Sequence, residues 1–303
     1  MNLYIKAIGF EQVDSDFEEQ MIHAGILDSL EKGLVIKNNE LNRGAVIVRI
    51  SESTGLYIYG RFKDKEFIYE YYFPFVIGRT RCDNDEITIE RHLDKESYAV
   101  VCDESKTGVT LIFYLQNVMD YLDYICDEKG LNQKDYDIDS RSYVYKIPIK
   151  NKMVSLTALS LGGIIMLPTR NNKSDSVRMK KEKDDRQRLI QAAKKGDESA
   201  IEDIDTYNEL SHRIVKEDVF SIVDSSFMPC GVECDQYQVV GEILELSEEI
   251  NHYTKEKIYI MVIECNDLNM TVAINQAHLL GEPAVGRRFK GQIWLQGSVK
   301  FNN

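Results

Sequence analysis

The chain has 303 residues, 43% hydrophobic and 29% charged, with a formal net charge of −13. That length suits two domains with cores of their own, and the composition excludes a wholly disordered chain. The acidic balance opposes nucleic acid and anionic lipid as partners unless a local basic patch overrides the average field.

The opening Met1 to Phe10 holds only a short apolar run, and Glu11, Asp14 and Asp16 follow at once. A secretory signal needs a basic start and a longer apolar stretch. The longest apolar run, Ala158 to Leu167, falls well short of the roughly 20 residues of a membrane span. A cytoplasmic protein with no membrane partner is expected. The six cysteines, Cys82, Cys102, Cys126, Cys230, Cys234 and Cys265, are scattered and expected to be reduced. Cys102 and Cys265 lie in β-patterned apolar runs and read as small buried hydrophobes.

In chain order, residues 3–10 read as a short strand. Ser15 and Glu18 have capping-box spacing and predict a helix start. Phe17, Met21, Ile22, Ile26 and Leu30 give that helix one buried face, and Gly33 ends it. Strands are predicted at Leu34–Lys37, Ala45–Ile50, Leu56–Phe62, Glu66–Phe73, Ile87–Glu90, Tyr98–Cys102 and Val109–Leu115, separated by turn signals such as Asn38-Asn39 and Thr54-Gly55. A helix over Asn117–Cys126 and strands at Tyr143–Ile149 and Met153–Ala158 complete an antiparallel α+β domain, residues 1–168. Gly162-Gly163 reads as a bend.

Residues 169–218 form a charged helical connector. Positions 170–195 carry ten Lys/Arg against four Asp/Glu, a local balance of +6. A helix is predicted over Val177–Lys195, with Glu182 and Arg186, and Asp184 and Arg188, at i,i+4. A second helix after Gly196-Asp197 carries Ala200, Ile201, Ile204, Tyr207 and Ile214 on one face. The third part, residues 219–303, has strand patterns at Val219–Val223, Tyr237–Leu246, Lys257–Cys265, Met270–Asn275, Arg288–Leu295 and Ser298–Phe301, with a short helix or turn at Gln276–Leu280. Five strands with a small helix between the third and fourth give the plan of a small OB-like β-barrel. No internal repeat at a fixed period is visible.

The candidate binding residues are the basic helix, with Arg178, Lys180, Lys181, Arg186 and Arg188, and the barrel edge, with Arg287, Arg288 and Lys290. Interleaved Glu182, Asp184 and Asp185 dilute the helix's field and favour a solvated linker. Residues 230–303 hold ten acids and six bases, which disfavours nucleic acid at the barrel. Cys230 and Cys234, flanked by Glu233 and Asp235, could supply half of a metal or redox site. No second ligand pair accompanies them, so a turn is the better reading. Tyr57, Tyr59, Tyr69, Tyr71 and Tyr72 could stack on a partner but read better as cross-strand packing. The familiar nucleophile, phosphate-loop and dinucleotide motifs are absent from the sequence. No catalytic residue, metal or cofactor is assigned.

The stretches Phe227-Met228-Pro229-Cys230-Gly231-Val232-Glu233-Cys234-Asp235-Gln236-Tyr237 and Gly281 to Gly297, with Ala7-Ile8-Gly9-Phe10, resemble an uncharacterised family of clostridial-type, low-GC Gram-positive bacteria. That family is a domain of unknown function of about 290 residues. The resemblance spans nearly the whole chain and implies a bacterial cytoplasmic protein, with no activity or site residue to carry over. The expectation is a non-enzymatic interaction or regulatory protein that binds another protein, with homo-oligomerisation left open. The alternatives are a nucleic-acid- or ribosome-associated factor using residues 178–195, and an enzyme of unrecognised class using Cys230, Glu233, Cys234 and Asp235.

Overall fold

A computed structural model describes residues 2–63, 66–92, 97–102, 110–130, 147–167, 225–231 and 234–301. The predicted connector helices, with Arg178, Lys180, Lys181, Arg186 and Arg188, lie outside the described residues, as does the strand expected at Val219–Val223.

The N-terminal segment Leu3–Ile8 is a 3-10 helix, η1, not a strand. Asn2 caps it and Gly9, at φ +87°, ends it. Helix α1 (Ser15–Glu31) is capped by Asp14, whose carboxylate accepts from Phe17 N–H at 2.8 Å. The expected Ser15/Glu18 capping box is replaced because Glu18 turns inward and accepts from the Tyr72 hydroxyl. Met21, Ile22 and Ile26 are buried as expected, but Phe17 and Leu30 face outward.

Strands β1 (Ile36–Asn38), β2 (Arg43–Arg49), β3 (Thr54–Lys63) and β4 (Glu66–Val76) form a four-stranded antiparallel sheet in chain order. Short connections make this register local: Tyr59 pairs with Tyr71, and Tyr57 with Phe73. The second sheet holds the remaining strands: β5 (Cys82–His92), β6 (Ser97–Cys102), β7 (Leu111–Leu115), β8 (Ile147–Met166), β9 (Ser226–Pro229), β10 (Gln236–Ile250), β11 (Lys257–Cys265), β12 (Leu268–Asn275), β13 (Leu279–Leu280) and β14 (Arg288–Val299). Helix α2 (Val118–Lys129) separates β7 from β8, and the 3-10 turn η2 (Gln276–His278) follows β12.

The pairings close a ring of five strands. β10 is antiparallel to β11, β11 to β12, β8 to β14, and β14 to β10, while β12 is parallel to β8. The sequence predicts two strands in place of β8 and a separate C-terminal domain. Instead β8 runs 20 residues and pairs with strands from both ends of the chain. Residues 1–166 and 225–303 accordingly cluster as one compact unit. Gly162-Gly163 lies within β8 beside a register shift. A Cβ on Gly163 would sit 2.3 Å from the Phe289 ring, so only glycine admits that ring.

The core is one apolar cluster shared by both sheets. Its centre is a run of rings. Tyr59 meets Tyr71, Phe73 meets Tyr114 at 4.8 Å, Tyr114 meets Trp294 at 5.1 Å, and Trp294 meets Tyr4 at 4.9 Å. Edge and tilted contacts of this kind join the layers beyond their area burial. The segment leaving β4 crosses β8 and β12. Arg79 N–H donates to Thr271 Oγ1 at 2.9 Å, and Ser155 Oγ donates to the Thr80 carbonyl at 2.6 Å.

Candidate functional site

Cross-strand packing, the preferred reading of the tyrosine cluster, is what Tyr57, Tyr59 and Tyr71 do. Tyr57 and Tyr59 are buried in the interlayer core, and burial pushes the Tyr57 hydroxyl above its usual range. Tyr72 points to α1 instead, and Tyr69 stays exposed.

The expected basic edge is only partly surface. Arg288 is 5% exposed and faces Glu242 across β10 and β14, a cross-strand pairing of opposite charge. Arg287 is spent on its own turn, donating to the Glu282 carbonyl at 2.6 Å. Lys290 is half-buried. A row of three free cations is therefore not formed there.

Cys230 and Cys234 are free thiols, and burial pushes the Cys230 thiol up. Asp235, which flanks them in the sequence, accepts from Trp294 Nε1 at 2.8 Å. Glu233 lies outside the described residues. Among the described residues, no group of three or more His, Cys, Asp and Glu side chains could hold a metal ion.

Three polar clusters escaped sequence reasoning because their members are far apart in the chain. Glu249 accepts from Ser51 Oγ at 2.6 Å and from Ser53 N–H at 2.8 Å, with Arg79 at 3.7 Å. Burial opposes ionisation of this carboxyl, but the donors and Arg79 hold it below the usual carboxylate range. Asn251 is fully buried and ties the β10–β11 hairpin tip to η1. Its amide donates to the Ile8 and Gly9 carbonyls at 2.8 and 3.0 Å. Glu11 is bonded by His278 Nε2 and by Lys6 Nζ at 3.2 Å, and His278's hydrogen bond lowers its pKa most. All three clusters join separate segments of one chain.

The remaining candidate is the outward face of α1. Phe17, Ala24 and Leu27 follow one another at i+7 and i+3, which places them along one side of the helix. Leu27 and Leu30 are 49% and 37% exposed. At the helix end Gly33 takes φ +66°, and Leu34 N–H returns to the Ser29 carbonyl at 2.9 Å. This left-handed stop sets Leu34, 64% exposed, beside the last turn. Asp16, Glu19, Asp28 and Glu31 are exposed on the same helix, which makes the apolar stripe acid-rimmed. The signal was present in the sequence, where five apolar residues were too many for one narrow face.

These features define a mostly β, α+β-like protein built on a ring of strands, with an apolar helix face turned outward. No helix among the described residues is long and apolar enough to cross a membrane. Residues 5–297 match the model of a family described as a domain of unknown function, E. rectale (DUF3881), and the chain belongs to that family. This is a bacterial family of unassigned role, as the resemblance implied. No curated protein and no solved structure matches the chain.

Proposed function

We propose that this protein is a non-enzymatic adaptor of the bacterial cytoplasm. It binds another protein through the outward stripe of α1. The observation that carries this reading is the line of Leu27, Leu30 and Leu34, left in water on a helix whose other side is fully packed. Exposed apolar residues grouped in this way mark interaction surfaces. The rim of Asp16, Glu19, Asp28 and Glu31 selects a basic amphipathic helix as the partner's docking element.

The ring of β10, β11, β12, β8 and β14 is, in this reading, an OB-type barrel. Three antiparallel strands, a parallel pair and two closing antiparallel pairs follow that plan, with η2 in the place of its helix. OB barrels take oligonucleotides on the face of their second and third strands. Here Arg79 and Thr80 are bonded to Thr271 and Asn269 on β12, which supports a protein over a polyanion as ligand.

The test is crosslinked capture from lysate by the full chain and by Leu27→Glu, with nuclease treatment as a control. A single protein held by the wild type, lost with Leu27→Glu and carrying a basic amphipathic helix is expected. Equal capture by both forms, or nuclease-sensitive capture, refutes the reading. Nuclease-sensitive, salt-dependent binding abolished by Arg178→Ala with Lys181→Ala would instead establish the nucleic-acid alternative.

A further inference from the structure

The ten-stranded sheet contains a second ring. β5 is antiparallel to β6, β6 to β7, and β5 to β8, while β7 is parallel to β14 and β14 antiparallel to β8. Each ring thus consists of a three-stranded meander, a helical element, and the two long strands β8 and β14. We infer that β5–β8 and β10–β14 are two copies of one folding unit that have exchanged their last strands, so that the two rings open only together.

The second hairpins and the parallel closures share one register, and the bulge between Ile243 and Glu245 of β10, which β5 lacks, is the one-residue difference between the units. Cys102 faces Leu111 at the start of the second hairpin of one unit, and Cys265 faces Leu268 at the same place in the other. Three residues further on, Tyr114 pairs in parallel with Gln296, and Thr271 pairs in parallel with Thr157. If the units are equivalent, Thr157 and Gln296 must correspond. They face each other across the antiparallel ribbon of β8 and β14, where an internal two-fold axis has to pass. Both are fully buried. One amide serves the two: Gln116 Nε2 donates to Thr157 Oγ1 and to Gln296 Oε1, each at 2.9 Å.

The exchange follows from which strand meets which. The first part of β8 pairs with its own β5 through Ile147–Val154, and its later part with β12 of the other unit through Leu156–Ser160. β14 pairs with its own β10 through Arg288–Trp294 and then with β7 through Gln296 and Gly297. At one handover the Tyr237 hydroxyl bonds both the N–H and the carbonyl of Ile112, at 2.8 and 3.0 Å, two residues before β7 meets β14 at Tyr114. Neither ring keeps its parallel closure if the other unit withdraws its long strand. Reciprocal closure makes the rings a single opening unit, which is a conformational coupling built into the fold.

Hydrogen exchange read by mass spectrometry on the full chain tests this, comparing wild type with Leu111→Ala on β7 and Ile260→Ala on β11. Both side chains are buried and neither lies on the shared ribbon. Each substitution is expected to lower protection in β6–β7 and in β11–β12 by one common factor, roughly thirtyfold or more for a buried aliphatic residue cut to alanine. Loss confined to the ring that carries the substitution overturns the inference. If a variant does not fold, wild-type exchange in rising urea decides. One shared opening isotherm for the two meanders supports the coupling, and two separate isotherms overturn it.

Discussion

Replacing Asn251 by alanine removes four hydrogen bonds from a site closed to water. The amide nitrogen serves the Ile8 and Gly9 carbonyls, and the carbonyl oxygen accepts from Tyr253 and Thr254 N–H at 2.8 and 3.1 Å. Thr254 Oγ1 still donates to the Gly9 carbonyl at 2.6 Å, so that acceptor is not orphaned. Three groups, the Ile8 carbonyl and the Tyr253 and Thr254 N–H, then lose their partner, and at about 1 kcal/mol net for each Asn251→Ala should cost about 3 kcal/mol. Urea denaturation followed through Trp294, the single tryptophan, reads this as a lower midpoint at unchanged slope. Asn251→Asp adds a sign. A carboxyl facing two carbonyls in a buried site has its folded pKa raised, so the folded state binds the extra proton. Its stability relative to Asn251→Ala should therefore fall as pH rises from about 4 to 7. A loss below about 0.5 kcal/mol for Asn251→Ala would refute the view that this side chain anchors the hairpin tip to η1.

Glu249→Gln should show a pH dependence of the opposite sign. The folded carboxyl titrates below its unfolded value, so its contribution is present above the unfolded pKa and lost as pH falls through the folded one. The gap to wild type in thermal midpoint should shrink between pH 7 and pH 3, roughly the range of carboxylate titration. Gly78→Ala would place a Cβ 2.1 Å from Ser155 Oγ and should destabilise by about 1–3 kcal/mol in urea. Adding Ser155→Ala should recover part of that loss, since the two sites are in contact. Gln116→Leu leaves acceptors on both sides of the internal axis unserved. It should lower hydrogen-exchange protection in both meanders, at a cost of about 2 kcal/mol. Leu27→Glu should move stability by less than about 0.5 kcal/mol while abolishing partner capture, because the side chain is half in water.

The parts legible in the sequence are those whose partners are near in the chain. Apolar runs fix β2 and β3 because a short turn joins them, and Gly33 ends α1 through its own backbone. Cys102 and Cys265 are buried as their apolar neighbours imply. The sequence reads two strands in place of β8, since nothing local in it shows that two separate meanders occupy the edges of one long strand. The duplication was hidden for a related reason. One second hairpin turns in two residues, Asn266-Asp267, and the other spans eight, while α2 has 12 residues against three in η2. No fixed period survives such changes in loop length. In the candidate surface, Phe17 and Leu30 belong to a helical apolar pattern that does not say which residues the sheet covers. The bond from Trp294 Nε1 to Asp235 joins residues 59 apart in the chain, which no local pattern around Cys230 and Cys234 could show.

The handover on β14 has a consequence for synthesis. Ring closure at Tyr114 and Leu115 waits for Gln296 and Gly297, some 130 residues after the end of β8. At about 5–20 residues per second, the first meander stands on the ribosome for roughly 7–25 s with one edge of β7 and the later half of β8 unpaired. Those edges are apolar, and they are the kind that recruit other chains. The nascent first half is therefore a natural chaperone client, and slowing translation between Met166 and Arg288 should lower the soluble yield without altering the stability of the finished protein.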